Sequence, residues 1–178
     1  MASLWSRRRF LAGSGAAGLA AIAFPHVVRG VGANEKLAVA CIGAGGVGWT
    51  DLNAVARSPR VSIAALCDID AERLARAAGA FPGARTYADW RELLAKEGGA
   101  LDAVTVSTPD HMHAPIVMTA LRAGKHVYCQ KPLAHDVDET RRLAAAARGA
   151  KVVTQLGIQH SSGIGARCAV QLIHEGAI

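Results

Sequence analysis

Short apolar runs alternate along the chain with longer amphipathic stretches, and this alternation predicts its elements. The runs "KLAVACI" (36–42), "VSIAALC" (61–67), "LDAVTVS" (101–107) and "KHVYC" (125–129) read as strands, and "KVVTQLGIQ" (151–159) as a further strand. Between them lie "VGWTDLNAVARS", stopped by Ser58-Pro59, "AERLARAAG", "DWRELLAKEGG", "HAPIVMTALRAG", closed by Gly124, and "DVDETRRLAAAARGA", all with helical spacing. Asp70 is placed to cap the second helix, with Arg73 on its first turn. Asp136 and Glu139 form a capping box for the last of these helices, with Gly149 expected just past its end. A further helix begins in "IGARCAVQLIHEGAI". Strands and helices in strict alternation predict a parallel sheet covered on both faces.

The first strand runs into "GAGGVG", so Gly43, Gly45 and Gly48 occupy the glycine positions of G-x-G-x-x-G. The first allows a tight turn, the second a close backbone approach to a pyrophosphate, and the third close helix–strand packing. Gly46 and Val47 complete the candidate cradle, where the N-terminus of the following helix offers free N–H groups to phosphates. The second strand ends at Asp68, 20 residues after Gly48. A carboxylate there accepts hydrogen bonds from both ribose hydroxyls and repels a 2′-phosphate, which favours NAD and leaves NADP as the lesser option. Strand, glycine loop, helix, strand and acid in this order predict a Rossmann-type, doubly wound α/β sheet that binds a dinucleotide.

Two chemical clusters follow later strands, where this fold places its ligands: "STPDHMH" (107–113) and "CQKPLAH" (129–135). Lys131, next to Pro132 at the mouth of the crevice, is the candidate to position a substrate hydroxyl or to act as acid or base. His111 and His113 have no further ligand set at suitable spacing, so no metal is expected.

Composition removes other classes. Arg7, Arg8, Arg9 and Arg29 precede residue 34 and no acid does, so residues 34–178 carry 16 of the 20 basic side chains against all 14 acidic ones. No basic patch with interleaved aromatics remains, and nucleic-acid binding is not expected. Cys41, Cys67, Cys129 and Cys168 are widely spaced, which argues against a disulfide framework and against zinc. At the front, Ser6-Arg7-Arg8-Arg9-Phe10-Leu11 resembles the twin-arginine export signal. The apolar stretch from Leu11 to Phe24 is 14 residues long, short of the ~20 that span a bilayer, and Val31-Gly32-Ala33 offers a small-residue cleavage site. Residues 1–33 are therefore read as a signal, 34–158 as the dinucleotide domain and 159–178 as the start of another domain. The protein is expected in the periplasm or otherwise outside the cytoplasm, delivered by machinery that exports folded proteins.

Together, "GAGGVG", "CDID", "DAVTVSTPDHMH", "KHVYCQKPLA" and "LIHEGAI" resemble the glucose–fructose oxidoreductase/inositol dehydrogenase/MocA (Gfo/Idh/MocA) family. Its Thr-Pro-Asn-x-x-His pattern is met by Thr108, Pro109, Asp110 and His113, with Asp in place of Asn. Its Glu-Lys-Pro is met by Gln130, Lys131 and Pro132, with an amide in place of a carboxylate. The resemblance implies that Lys131 lies beside the nicotinamide and the reacting carbon, and that Ser107, Thr108 and Pro109 flank the nicotinamide half of the cofactor, with His113 and Gln130 in the same group. Family members continue into a second, open-sheet domain that supplies much of the substrate pocket and through which they associate. The chain is thus expected to be a truncated member, inactive alone, with any homo-oligomer contact in the missing part. For the full-length protein the resemblance implies hydride transfer between a nicotinamide cofactor and a sugar or polyol hydroxyl, and export of the folded protein adds the expectation that the cofactor is tightly held. A redox-neutral NAD-dependent glycosidase and a non-catalytic sugar or nucleotide binder are the alternatives.

Overall fold

In the computed structural model, residues 36–177 are described; the signal read in residues 1–33 lies outside them. Six strands form one parallel sheet: β1 (Leu37–Ile42), β2 (Val61–Cys67), β3 (Arg85–Tyr87), β4 (Ala103–Val106), β5 (His126–Gln130) and β6 (Thr154–Gly157), in the order β3-β2-β1-β4-β5-β6. The connections carry helices α1 (Val47–Ala56), α2 (Ala71–Ala80), α3 (Trp90–Glu97), α4 (His113–Arg122) and α5 (Val137–Gly149); α6 (Ile164–His174) follows β6. Strand order reverses between β1 and β4, and a crevice opens at the C-terminal edge of the sheet there.

Successive side chains of a strand face opposite sides, so the apolar runs bury both faces. Val39 and Cys41 of β1 pack with Leu52 of α1 and Ala77 of α2. Ala40 and Ile42 join Leu93 of α3, Ile116 of α4 and Leu143 of α5 on the other face. Each fully buried Leu or Ile contributes about 2 kcal/mol of transfer free energy. Helix α6 buries none of its side chains, and Ile164, Val170, Leu172 and Ile173 are exposed. Among the described residues, no helix is long and apolar enough to cross a membrane.

Side-chain caps fix the starts of three helices: Asp70 for α2, Asp89 for α3 and Asp136 for α5. At Asp136 the capping box is displaced by one residue on its return arm, since Glu139 accepts from the backbone N–H of His135 at 3.2 Å. Gly149 lies inside α5 rather than past its end, and Ala150 caps the helix in extended conformation. The strands read as 101–107 and 151–159 are shorter than expected, at Ala103–Val106 and Thr154–Gly157, because their flanking residues turn away from the ladder.

The edge strand β3 is held from α3. The Glu97 carboxylate accepts from the Arg85 guanidinium and the Tyr87 hydroxyl, and the Arg85 bond chiefly holds its carboxyl below the usual carboxylate range. A depressed pKa contributes stability above the unfolded value, about 4.3, that is lost as pH falls through the folded one. Thermal unfolding of Glu97→Gln should therefore lie below the parent at pH 7 and converge with it towards pH 3. An equal gap at both pH values would refute this role.

Candidate functional site

The glycine loop is shaped by close backbone contacts. Gly43 has φ +90°, and its N–H donates to the Cys67 carbonyl at 2.8 Å. A Cβ on Gly43 would lie 2.5 Å from the Ser107 carbonyl oxygen, and one on Gly48 would lie 2.2 Å from the Gly43 carbonyl oxygen. The loops after β1 and β4 thus touch through backbone alone, which only glycine permits. Gly45 sits under the Arg73 side chain. Gly46, at φ +52°, and the exposed Val47 open the N-terminus of α1. No side chain caps that terminus and its first turn holds no acid, so its N–H groups and positive dipole end are left for an anion.

Asp68 buttresses this loop. One carboxylate oxygen accepts from the N–H of Ala44 at 2.8 Å and the other from that of Asp70 at 3.0 Å. Capping of α2 falls to Asp70, which accepts from the N–H groups of Glu72 and Arg73. A cavity of about 460 Å³ lies at this edge, lined among others by Gly43, Gly45, Asp68, Trp90, Thr108 and Pro109. Two buried polar atoms of its lining residues, Trp90 Nε1 and Thr108 Oγ1, have no hydrogen-bond partner. Buried polar atoms without partners are rare, and both belong to residues that line this cavity. Burial pushes the thiol of Cys67, also in the lining, up to about 12, which disfavours the thiolate.

Further along the edge, the loops after β4 and β5 are braced from both sides of the sheet. On the α1 side, the carboxylate of Asp51, 6% exposed, accepts from Ser107 Oγ at 2.8 Å, Gln130 Nε2 at 2.9 Å and Gln159 Nε2 at 3.2 Å. On the α4 side, His113 is 1% exposed, with Nδ1 2.7 Å from the Pro132 carbonyl and Nε2 2.8 Å from that of Thr108. Ser107, Thr108 and Pro109 line the cavity beside Gly43 and Asp68, whereas His113 sits beneath both loops with its nitrogens engaged. Gln130 is buried and turned to Asp51; Lys131, one residue on, is exposed, and its peptide bond to Pro132 is cis. Among the described residues no group of three potential metal ligands occurs.

Sequence reasoning passed over Asp51 and Gln159. The signal for Asp51 was present: a carboxylate one residue from the fully buried Leu52 and three from Gly48, on the inward face of a helix.

Residues 37–158 match the model of the GFO_IDH_MocA oxidoreductase family, NAD-binding Rossmann fold. The chain belongs to the Gfo/Idh/MocA family. Inositol 2-dehydrogenase 3 of Saccharopolyspora erythraea is 36% identical over 143 residues, which cover 79% of this chain and 41% of that protein. Among solved structures, myo-inositol 2-dehydrogenase from Lactobacillus plantarum superposes with a TM-score of 0.74 at 25% identity, over 81% of this chain and 42% of the other. The WlbA dehydrogenase from Bordetella pertussis, in complex with NADH and UDP-GlcNAcA, gives a TM-score of 0.72 at 26% identity, over 80% of this chain and 41% of the other. This Gfo/Idh/MocA chain therefore spans less than half the length of these relatives. Its Rossmann domain is an NAD-binding one, and the glycine cradle, the uncapped α1 terminus and the orphaned Thr108 hydroxyl fit the cofactor.

Proposed function

We propose that the chain is the cofactor-binding part of an oxidoreductase that moves hydride between a nicotinamide dinucleotide and a sugar or polyol hydroxyl. The observation that carries this reading is the shared crevice edge: the glycine cradle, Asp68, the loop after β4 and the turn that begins at Lys131 all stand at C-terminal strand ends on the side of the β1/β4 reversal. The polyol class is favoured by the inositol dehydrogenase relative, and the sugar class by the nucleotide-sugar complex of the WlbA dehydrogenase.

In this scheme the N–H groups of Gly46, Val47 and Gly48 hold the pyrophosphate, and Asp68 holds the adenosine ribose. Ser107, Thr108 and Pro109 flank the nicotinamide half, where the orphaned Thr108 hydroxyl gains a partner. Bound nicotinamide supplies the acceptor for the substrate's C–H hydride. Lys131 Nζ orients the substrate hydroxyl and assists removal of its proton as the carbonyl forms. Gln130 cannot supply negative charge beside the lysine, so it acts by hydrogen bonding alone.

Residues 6–11 add the proposal that the protein is exported already folded, with its cofactor loaded in the cytoplasm and held tightly. The test is to denature the purified protein and measure released nucleotide by absorbance and mass. NAD at near-equal stoichiometry is expected. A folded sample that releases none and does not bind added NADH refutes the reading. In a protein of the relatives' full length, Lys131→Ala should lower polyol-dependent reduction of NAD by about a hundredfold or more.

A further inference from the structure

The Asp51 cluster is directional. Three donors, Ser107 Oγ–H, Gln130 Nε2–H and Gln159 Nε2–H, converge on one buried carboxylate. Gln130 uses its other end as well: its Oε1 accepts from the backbone N–H of Lys131 at 3.2 Å. Rotating that amide by half a turn would set oxygen against carboxylate and N–H₂ against N–H, so both neighbours fix its orientation. A carboxylate at 51 thus demands a donor at 130, and the Lys131 N–H demands an acceptor there. An amide is both without taking up a proton. Gly157 of β6 makes the space, since a Cβ there would lie 2.7 Å from the Tyr128 hydroxyl and 3.0 Å from Gln130 Nε2.

We propose that Asp51 is a positioning residue for Lys131, acting through Gln130, and that positions 51 and 130 work as a pair, carboxylate with amide. The glutamine at 130 is then no loss of the residue expected there. The negative charge stands one side chain further from the lysine, on the helix that opens the phosphate cradle. A glutamate at 130 would put two carboxylates within hydrogen-bond distance in a dry site, where one must take up a proton or move out. The pair connects the segment that holds the cofactor's phosphates to the segment that carries the lysine. Its role in catalysis rests on the function proposed above; its geometry does not.

The test uses the full 178-residue chain and three variants: Asp51→Asn, Gln130→Glu and the double exchange Asp51→Asn/Gln130→Glu. Hydrogen exchange of the Lys131 backbone amide, resolved by NMR, is read beside the thermal midpoint. Exchange should accelerate about tenfold in each single variant, beyond any change shared by all core amides. In the double variant the roles swap: the new amide at position 51 donates to the new carboxylate at position 130, which still accepts from the Lys131 N–H. Exchange should then return to within about threefold of the parent. Parent-like exchange at Lys131 in Asp51→Asn, or losses that simply add in the double variant, would overturn the proposal. Should Gln130→Glu not fold, Asp51→Asn against the double variant decides the same question. A parent chain that fails to bind NADH counts against the proposed function, while the exchange rates still decide the pair.

Discussion

Gly43→Ala is expected to reduce NADH affinity at least a hundredfold and to destabilise the domain by about 3 kcal/mol. Two costs coincide at this position. The backbone lies at φ +90°, where any Cβ is strained. That Cβ would also meet the Ser107 carbonyl oxygen at 2.5 Å, its carbon at 2.7 Å and Thr108 N at 3.0 Å. All three are backbone atoms, so no side chain can rotate aside. Relief requires the loops after β1 and β4 to part, which widens the crevice between them. Gly46→Ala is the control. It shares a positive φ of +52°, but its Cβ would meet nothing within 4 Å, so its cost is the conformational strain alone, about 1 kcal/mol. Thermal unfolding with NADH titration of both variants measures the difference. NADH affinity in Gly43→Ala equal to that in Gly46→Ala would contradict the contact argument.

Asp68→Asn carries the second large effect, on cofactor choice. In the binding mode proposed above the carboxylate would face a 2′-phosphate, and like charges set close together cost several kcal/mol. Removing the charge should shift the ratio of NADH to NADPH affinity towards NADPH by about 10- to 100-fold. Absolute NADH affinity should fall too, for a local reason. Asp68 serves the N–H groups of both Ala44 and Asp70, one with each oxygen. An amide has one acceptor oxygen, so one N–H loses its partner and the glycine loop slackens. Paired titrations with NADH and NADPH test this directly. An unchanged ratio would remove Asp68 from cofactor discrimination and leave it only as a brace for the loop.

The sheet was legible wherever local pattern and burial agree. Strands β1, β2, β4 and β5 are apolar runs bounded by glycine, proline or polar turns, and buried strands require such runs. Strand β3 gave no such signal: it has three residues, Arg85 and Thr86 are exposed, and what holds it is the Glu97 cluster on α3. The glycine loop was equally readable, because its constraints are local to consecutive residues. The braces were not. His113 was readable as part of a loop motif, yet its partners are carbonyl oxygens, and backbone atoms carry no side-chain signature. Asp51 finds its donors far along the chain, and no window of sequence holds them together.

Those separations bear on how the domain is made. The donors to Asp51 lie 56, 79 and 108 residues further along the chain. Each closes a large loop, and such contacts form late and slowly. A nascent chain that has emerged only as far as β2 can pair its first strands, but it holds α1 with a bare carboxylate that resists docking. Helix α1 should therefore seat fully only after β4, β5 and the turn following β6 have arrived. The phosphate cradle depends on that seating, so capacity to bind nucleotide should appear in a single late step of synthesis, as the segment around Gln159 leaves the ribosome.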